Sequence, residues 1–145
     1  MSNSNIQIND LKEIKNIFKK LSSENMLKKI RVSKLNHVVY QSLIEILIHD
    51  FKFNIFFETS KNELTEALLH WIDGPVTQVD WDNVSNEKLD REFDLLKLFY
   101  EKEFSTFPTE KNNENYWNLS WGEVSVVKNK RDFNVITYIK FKGLY

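Results

Sequence analysis

Few side chains in this chain of 145 residues have a type and spacing that could do chemistry. It contains no Cys, which excludes thiolate catalysis, disulfides and Cys-ligated zinc or iron–sulfur sites. Three Gly residues leave little material for a phosphate-binding loop. The sequence also has neither a nucleophile elbow nor a His-Glu-x-x-His motif. These absences lower the expectation of an enzyme, and the sequence predicts no metal ion or cofactor.

The histidines are the remaining candidates for acid–base or metal chemistry. Glu66 and His70 stand four residues apart in a segment with helical spacing, and Glu63 lies one turn earlier. A histidine beside a carboxylate can act as a general base, so a small hydrolase is one hypothesis, although an ordinary surface pair is the simpler interpretation. His37 and His49 lie about three helical turns apart, which is too far to share a metal ion.

The densest acidic stretch runs from 73 to 94, where seven Asp or Glu residues accompany two basic ones. Trp81 stands between Asp80 and Asp82, which resembles a binding hot spot with an aromatic anchor ringed by charge. The acids would also steer a basic partner towards this surface. Alternatively, Trp81 fills the edge of the core and the acids form a solvated helix face. The predicted partner-binding residues are Asp73, Asp80, Trp81, Asp82, Glu87, Asp90 and Asp94.

Both ends of the chain are basic, although the formal net charge is −1. Residues 1–40 carry eight Lys or Arg against three Asp or Glu, and residues 128–145 carry five against one. The lysine-rich stretch 12–31 could form a face for nucleic acid, and Trp117 and Trp121 could stack on bases if they are not core residues. Against this, 20 basic and 21 acidic residues are nearly balanced, unlike the strongly basic composition of a dedicated nucleic-acid module. Nucleic-acid binding is therefore the alternative hypothesis.

Hydrophobic spacing predicts helices in the N-terminal part of the chain. Residues 1–8 are a polar lead that we expect to fray. Asp10 is a candidate cap for a first helix, and a short helical turn follows near residues 26–30. Residues 34–49 are apolar around nearly the whole helical circumference, which predicts a buried central helix.

From residue 51 onwards the predicted elements alternate in type. Residues 51–58 have a period of two, which indicates a strand, and a capping box at Ser60 and Glu63 predicts a helix that ends near Ile72. Residues 73–84 are irregular or carry a short strand at 76–79. A long helix follows from Ser85 to about Phe104, and Leu98 is expected to widen its apolar stripe. The last predicted strands are Tyr116–Ser120, Glu123–Val127 and Phe133–Phe141, the final two joined by a hairpin loop at 128–132.

These elements predict a single α+β domain over residues 1–145. We expect an antiparallel sheet of about three to five strands, one near 51–58 and the rest in the C-terminal third, packed on one side by about four to five helices. The N-terminus lacks a signal pattern, and no window approaches about 18 uncharged apolar residues, so a cytoplasmic location is expected.

The first functional hypothesis is a non-enzymatic protein-binding inhibitor, such as a bacterial immunity protein that neutralises a toxin. Many toxins are basic nucleases, and an acidic surface can block a basic active site by mimicking phosphate. If the C-terminal strand lies at a sheet edge, it could also pair with a second copy to form a homodimer.

Overall fold

A computed structural model describes residues 5–33, 36–76 and 86–142 of the chain. Within these ranges the chain forms ten β-strands and two α-helices, and a short 3-10 turn at Leu11–Glu13 leads into the first helix. The elements are β1 (Asn5–Ile8), α1 (Ile14–Ser23), β2 (Leu27–Val32), β3 (His37–Ser42), β4 (Glu45–Ile48), β5 (Phe51–Ser60), β6 (Glu63–Trp71), α2 (Asn86–Phe104), β7 (Thr109–Lys111), β8 (Glu114–Asn118), β9 (Gly122–Asn129) and β10 (Asn134–Phe141).

The ten described strands form one mixed sheet. Its main path runs β1-β4-β5-β6-β10-β9-β8-β7. Both β4 and β3 pair with β5, β4 with its first residues and β3 with its last, and β2 pairs with β3. The β1–β4 pair is parallel, and the other pairs are antiparallel. The predicted α+β layout, with about three to five strands under about four to five helices, is therefore wrong, because strands dominate the described chain from its first residues onwards.

The central helix predicted over 34–49 is wrong, because the described part of that range forms β3 and β4. Its apolar residues, such as Val38, Val39 and Ile46, follow one another so closely that the run fits a buried helix or a buried strand equally well. Their β-branched side chains favour the strand. Between the two strands the Ser42 hydroxyl donates to the carbonyl of Ile44 and accepts from its N–H, which turns the chain.

The helix predicted over 60–72 is also wrong, because this segment forms β6. Lys61 and Asn62 have positive φ angles of 52° and 68°. Two such residues in succession are typical of the two-residue loop of a β-hairpin. Ser60 and Glu63 are therefore cross-strand partners on β5 and β6 rather than a capping box.

Two further segments differ from the sequence-based expectation. β1 covers Asn5–Ile8 of the N-terminal stretch, whose fraying stays a prediction, and its Ile8 is buried against the core. β2 replaces the short helical turn expected near residues 26–30. β10 lies between β6 and β9, so the C-terminal strand is not an edge that could pair with a second copy.

Other predicted elements are confirmed. The first helix begins as expected, since the Asp10 carboxylate accepts a hydrogen bond from the backbone N–H of Lys12 at 3.1 Å. β5, α2, β8, β9 and β10 lie within a few residues of their predicted bounds. The short strand proposed at 76–79 falls almost entirely outside the described residues.

Both helices cover the same face of the sheet, which we call the inner face. Phe18 of α1 lies with its ring centroid 5.1 Å from that of Phe57, and alternate residues along β5, β6, β9 and β10 are buried beneath the helices. The largest fully buried side chains include Tyr100, Phe53 and Phe57. Burying each such side chain contributes roughly 1.5–3 kcal/mol, so this face holds the fold together. The opposite face, which we call the outer face, carries partly exposed residues such as Phe56 and Leu68 and has neither described helix over it.

Candidate functional site

Three of the predicted partner-binding residues lie together on the solvent side of α2. Glu87, Asp90 and Asp94 recur at steps of three and four residues, which places them on one side of the helix, and all three are exposed. Leu98 follows at the next step of four and is 63% exposed. We call Glu87, Asp90, Asp94 and Leu98 the acidic helix face.

Neighbouring bases shape the electrostatics of the acidic helix face. Lys128 of β9 donates from Nζ to the Asp90 carboxylate at 2.6 Å, and the same Nζ lies 5.0 Å from the centroid of the Phe93 ring. This contact fixes the end of β9 against α2 and offsets part of the charge on Asp90. Glu87 and Asp94 form no ion pair with any residue that the structure describes, although Arg91 lines the same groove and Lys97 interacts electrostatically with Asp94.

Asp73 lies in the turn after β6, and this turn is anchored beside the N-terminal half of α2. The buried carboxylate of Glu92 accepts a hydrogen bond from the backbone N–H of Val76 at 3.0 Å. Pro75, in the same turn, lines a small groove together with Glu87. Asp73 itself is exposed, so the structure brings it to the same end of α2 as the first acid of the acidic helix face.

The centre of the predicted hot spot, formed by Asp80, Trp81 and Asp82, lies outside the described residues. Leu98 is the residue of this surface that sequence analysis missed, because helical spacing assigned it to the buried stripe. Leu96 is buried and Leu98 is exposed, since two residues correspond to about 200° around a helix. The position of Leu98 four residues after Asp94 was the signal that could have identified it.

A second feature is a pocket of about 440 Å³ on the outer face, which we call the outer-face pocket. Its floor crosses neighbouring strands, where Phe56 of β5 lies opposite Leu68 of β6. One wall comes from β2, whose register shifts between Lys29 and Arg31. Such β-bulges bend a strand and re-aim its side chains. The residues that line the pocket are Ile30, Arg31, Val39, Phe56, Glu58, Leu68, Leu69, His70, Asn134 and Ile136.

Titratable groups in and beside the outer-face pocket are perturbed. Glu58 of the pocket lies directly opposite Glu66 on the next strand. Burial, followed by repulsion from Glu58, raises the pKa of Glu66, although Lys140 acts in the opposite direction. Burial also lowers the pKa of His70, so its imidazole is neutral at pH 7. Perturbed groups beside a pocket are a feature of ligand sites.

The catalytic pair predicted from helical spacing does not form. Glu66 and His70 lie on a strand, where four residues separate their Cα atoms by roughly 13 Å. Their cross-strand partners on β5 are Glu58 and Asn54, respectively. The hydrolase hypothesis therefore loses the geometry on which it was based.

The other two histidines each meet a single carboxylate. His37 Nδ1 lies 3.6 Å from Glu58 Oε1, and His49 Nε2 lies 3.2 Å from Glu103 Oε1. Within the described ranges, no three His, Asp or Glu side chains are grouped so that they could hold a metal ion.

The basic stretch proposed for nucleic acid is divided among several surfaces. The lysines of α1 lie on one element, whereas Lys28 and Lys29 are consecutive residues of β2 and face opposite sides of the sheet. Trp117 is only 2% exposed and donates from Nε1 to the carbonyl of Thr106 at 3.0 Å, so it cannot stack on bases. Trp121 is partly buried against Phe104, with the ring centroids 6.3 Å apart.

The chain matches no protein-family model, and no curated protein or solved structure resembles it significantly. Neither described helix combines the length and the apolar character needed to cross a membrane. Among the described residues, the acidic helix face and the outer-face pocket are the two surfaces that combine apolar side chains with charged groups near the residues predicted from the sequence.

Proposed function

We propose that this chain is a non-enzymatic protein-binding inhibitor that contacts a basic partner through the acidic helix face, in the manner of a bacterial immunity protein that neutralises a toxin. The observation that supports this most directly is the exposure of Leu98 in line with Glu87 and Asp94. An apolar side chain among charges can bury itself in a partner and supply affinity, while the acids supply specificity and a faster association.

The scaffold beneath the acidic helix face favours binding, because it holds the helix in one position. The Tyr100 hydroxyl lies 2.8 Å from Thr137 Oγ1 of β10, and Lys128 bonds Asp90 from β9. A helix that is already fixed in this way loses little conformational entropy when it binds, so more of the contact energy appears as affinity. The proposal places the interaction in the cytoplasm, and cell fractionation tests that location.

The test compares two charge-reversal variants that raise the net charge equally. Glu87→Lys with Asp94→Lys alters the acidic helix face, whereas Glu24→Lys with Glu63→Lys alters exposed acids elsewhere. Tagged proteins would be used to capture partners from the native cells and eluted in rising salt. We expect a stoichiometric basic protein with the wild type and the control, and its loss with the first variant, because the steering charges and their contacts are gone.

Two single substitutions test the apolar anchors separately from the acidic side chains. Leu98→Asp should release the same partner without lowering the melting temperature, because an exposed side chain contributes little to stability. Trp81→Ala tests the proposed hot spot in the same assay. If the partner remains bound to the Glu87/Asp94 variant and to Leu98→Asp, the acidic helix face is not the contact surface. Capture of nucleic acid that elutes early with salt would favour the alternative hypothesis.

A further inference from the structure

The outer-face pocket is a separate surface from the acidic helix face, and its composition is that of a small-molecule site. Its volume of about 440 Å³ lies within the range that binds compact organic ligands. Phe56, Leu68 and Ile136 supply an apolar floor, and polar side chains stand at the two ends. An apolar body with a polar group at each end would match this arrangement.

Arg31 is the cation at one end of the pocket. It is exposed, and it forms no ion pair with any residue in the described ranges. The other charged residue of the lining, Glu58, already has His37 at 3.6 Å. Arg31 therefore has an unused guanidinium, and a planar guanidinium binds a carboxylate through two parallel hydrogen bonds. The register of β2 shifts directly before Arg31, and such shifts can re-aim the side chains of a strand.

His70 and Asn134 stand at the other end. The imidazole of His70 is neutral at pH 7 because burial lowers its pKa, so one ring nitrogen donates and the other accepts. The Asn134 side-chain oxygen is buried and has no hydrogen-bond partner in the described part of the chain. A ligand hydroxyl can donate a hydrogen bond to this oxygen.

We infer that the outer-face pocket binds a small organic carboxylate that has a flat apolar body and a hydroxyl at its far end. The carboxylate pairs with Arg31, the body lies on Phe56 and Leu68, and the hydroxyl donates to the side-chain oxygen of Asn134. Arg31 lies in register with Val39 and Glu58, whereas His70 lies in register with Asn54. These two positions on β5 are roughly 13 Å apart, and Arg31 and His70 both line the pocket, which suits one ring with a short chain.

Calorimetric titration with three related compounds tests the ligand class. These are 3-(4-hydroxyphenyl)propionate, 3-phenylpropionate, which lacks the hydroxyl, and tyramine, which replaces the carboxylate by an amine. We expect the hydroxy acid to bind with a Kd of about 1 mM or lower, the phenyl acid to bind about tenfold more weakly, and tyramine to give no binding. Tighter binding of tyramine would show that Glu58 governs the pocket, and it would overturn the inference.

Substitutions test which residues bind the carboxylate and the hydroxyl at the two ends of the pocket. Arg31→Gln should weaken the hydroxy acid about tenfold or more, whereas Arg91→Gln, an exposed arginine on α2, should change nothing. Asn134→Leu should remove the preference for the hydroxyl and leave 3-phenylpropionate unaffected. Thermal melts establish whether each variant folds. If Asn134→Leu does not fold, Arg31→Gln still tests the inference, because Arg31 is exposed and its substitution should not affect folding. No binding by the wild type up to about 10 mM, or equal binding by both arginine variants, would overturn the inference.

Discussion

A fully buried hydrogen bond joins α2 to the middle of the sheet, and its removal tests how the inner face is held together. The Tyr100 hydroxyl lies 2.8 Å from Thr137 Oγ1, and neither residue has exposed surface. Burial raises the pKa of Tyr100, so the hydroxyl remains protonated and the bond is between neutral groups. Water cannot replace either partner, because both side chains are fully buried between α2 and the sheet.

Each single substitution leaves one buried hydroxyl without its partner. Tyr100→Phe does this to Thr137, and Thr137→Val does it to Tyr100. An unsatisfied buried hydroxyl costs about 1–3 kcal/mol, so each variant should lose that much of its free energy of unfolding. Replacing both residues removes both polar groups with little change in shape. The double variant should therefore be more stable than the sum of the two losses predicts, by about 0.5–3 kcal/mol.

Urea denaturation measures these differences in the free energy of unfolding, provided that the m-value is the same for all variants. Thermal melts provide a second measurement. For a domain of this size, a loss of 1 kcal/mol lowers Tm by about 2–4 °C. Tyr138→Phe is the matched control, because Tyr138 lies on the outer face and is only partly buried, and its change should stay within about 0.5 kcal/mol. Additive losses, or a cost of Tyr100→Phe no greater than that of Tyr138→Phe, would show that the two buried hydroxyls do not depend on each other.

Two further predictions concern the outer face and the turn before α2. Because the pKa of Glu66 is raised in the folded state, folding favours the protonated carboxyl over the carboxylate. The protonated Glu66 carboxyl stabilises the fold below the pKa that Glu66 has in the unfolded chain, and this contribution is lost as the pH rises through the pKa of Glu66 in the folded protein. Glu66→Gln should therefore raise Tm at pH 7, and the gain should shrink as the pH falls towards 4; a constant gain would contradict the assignment. Gly74→Ala should cost about 1–3 kcal/mol in urea denaturation, because a Cβ there overlaps the Glu92 carboxylate that holds the turn. An unchanged midpoint would show that this carboxylate moves freely.

Elements of the fold could be predicted from the sequence where the periodicity of a segment admits one interpretation. α2 was found because its 19 residues alternate polar and apolar positions at helical spacing beyond the length of a typical strand. β5 was found because Phe53, Ile55 and Phe57 alternate with more polar residues. Both signals are local, and tertiary context did not override them.

The failures occurred where two structures fit the same local pattern. Val38 and Val39 lie in an apolar run that suits a helix or a strand, and only the pairing of β3 with β5 decides between them. Ser60 and Glu63 have the spacing of a capping box, but the positive φ of Lys61 and Asn62 makes them ends of a hairpin. Non-Gly residues rarely adopt such angles, so single-residue preferences gave little warning of this turn.

The two candidate surfaces also differ in how far they could be predicted from the sequence. The acids of α2 could be placed on one side of a helix from spacing alone, whereas the exposure of Leu98 depended on which side of α2 faces the sheet. The outer-face pocket could not be predicted, because its residues come from five strands, three of which were expected to be helical. A site built across strands becomes visible only when the register of those strands is known.

The composition of the outer face is also unusual for a sheet face that neither described helix covers. An antiparallel sheet with one solvated face normally carries polar residues there, yet Phe56, Leu68 and Tyr138 form an apolar row across three adjacent strands. A charged row with Glu58, Glu66 and Lys140 runs along one side of it, which limits association through the apolar residues by placing charge beside them. Apolar surface that neither described helix covers marks binding sites more often than ordinary solvated surface. Phe56 and Leu68 of this row also line the outer-face pocket, and this overlap is the reason for inferring a small amphipathic ligand there.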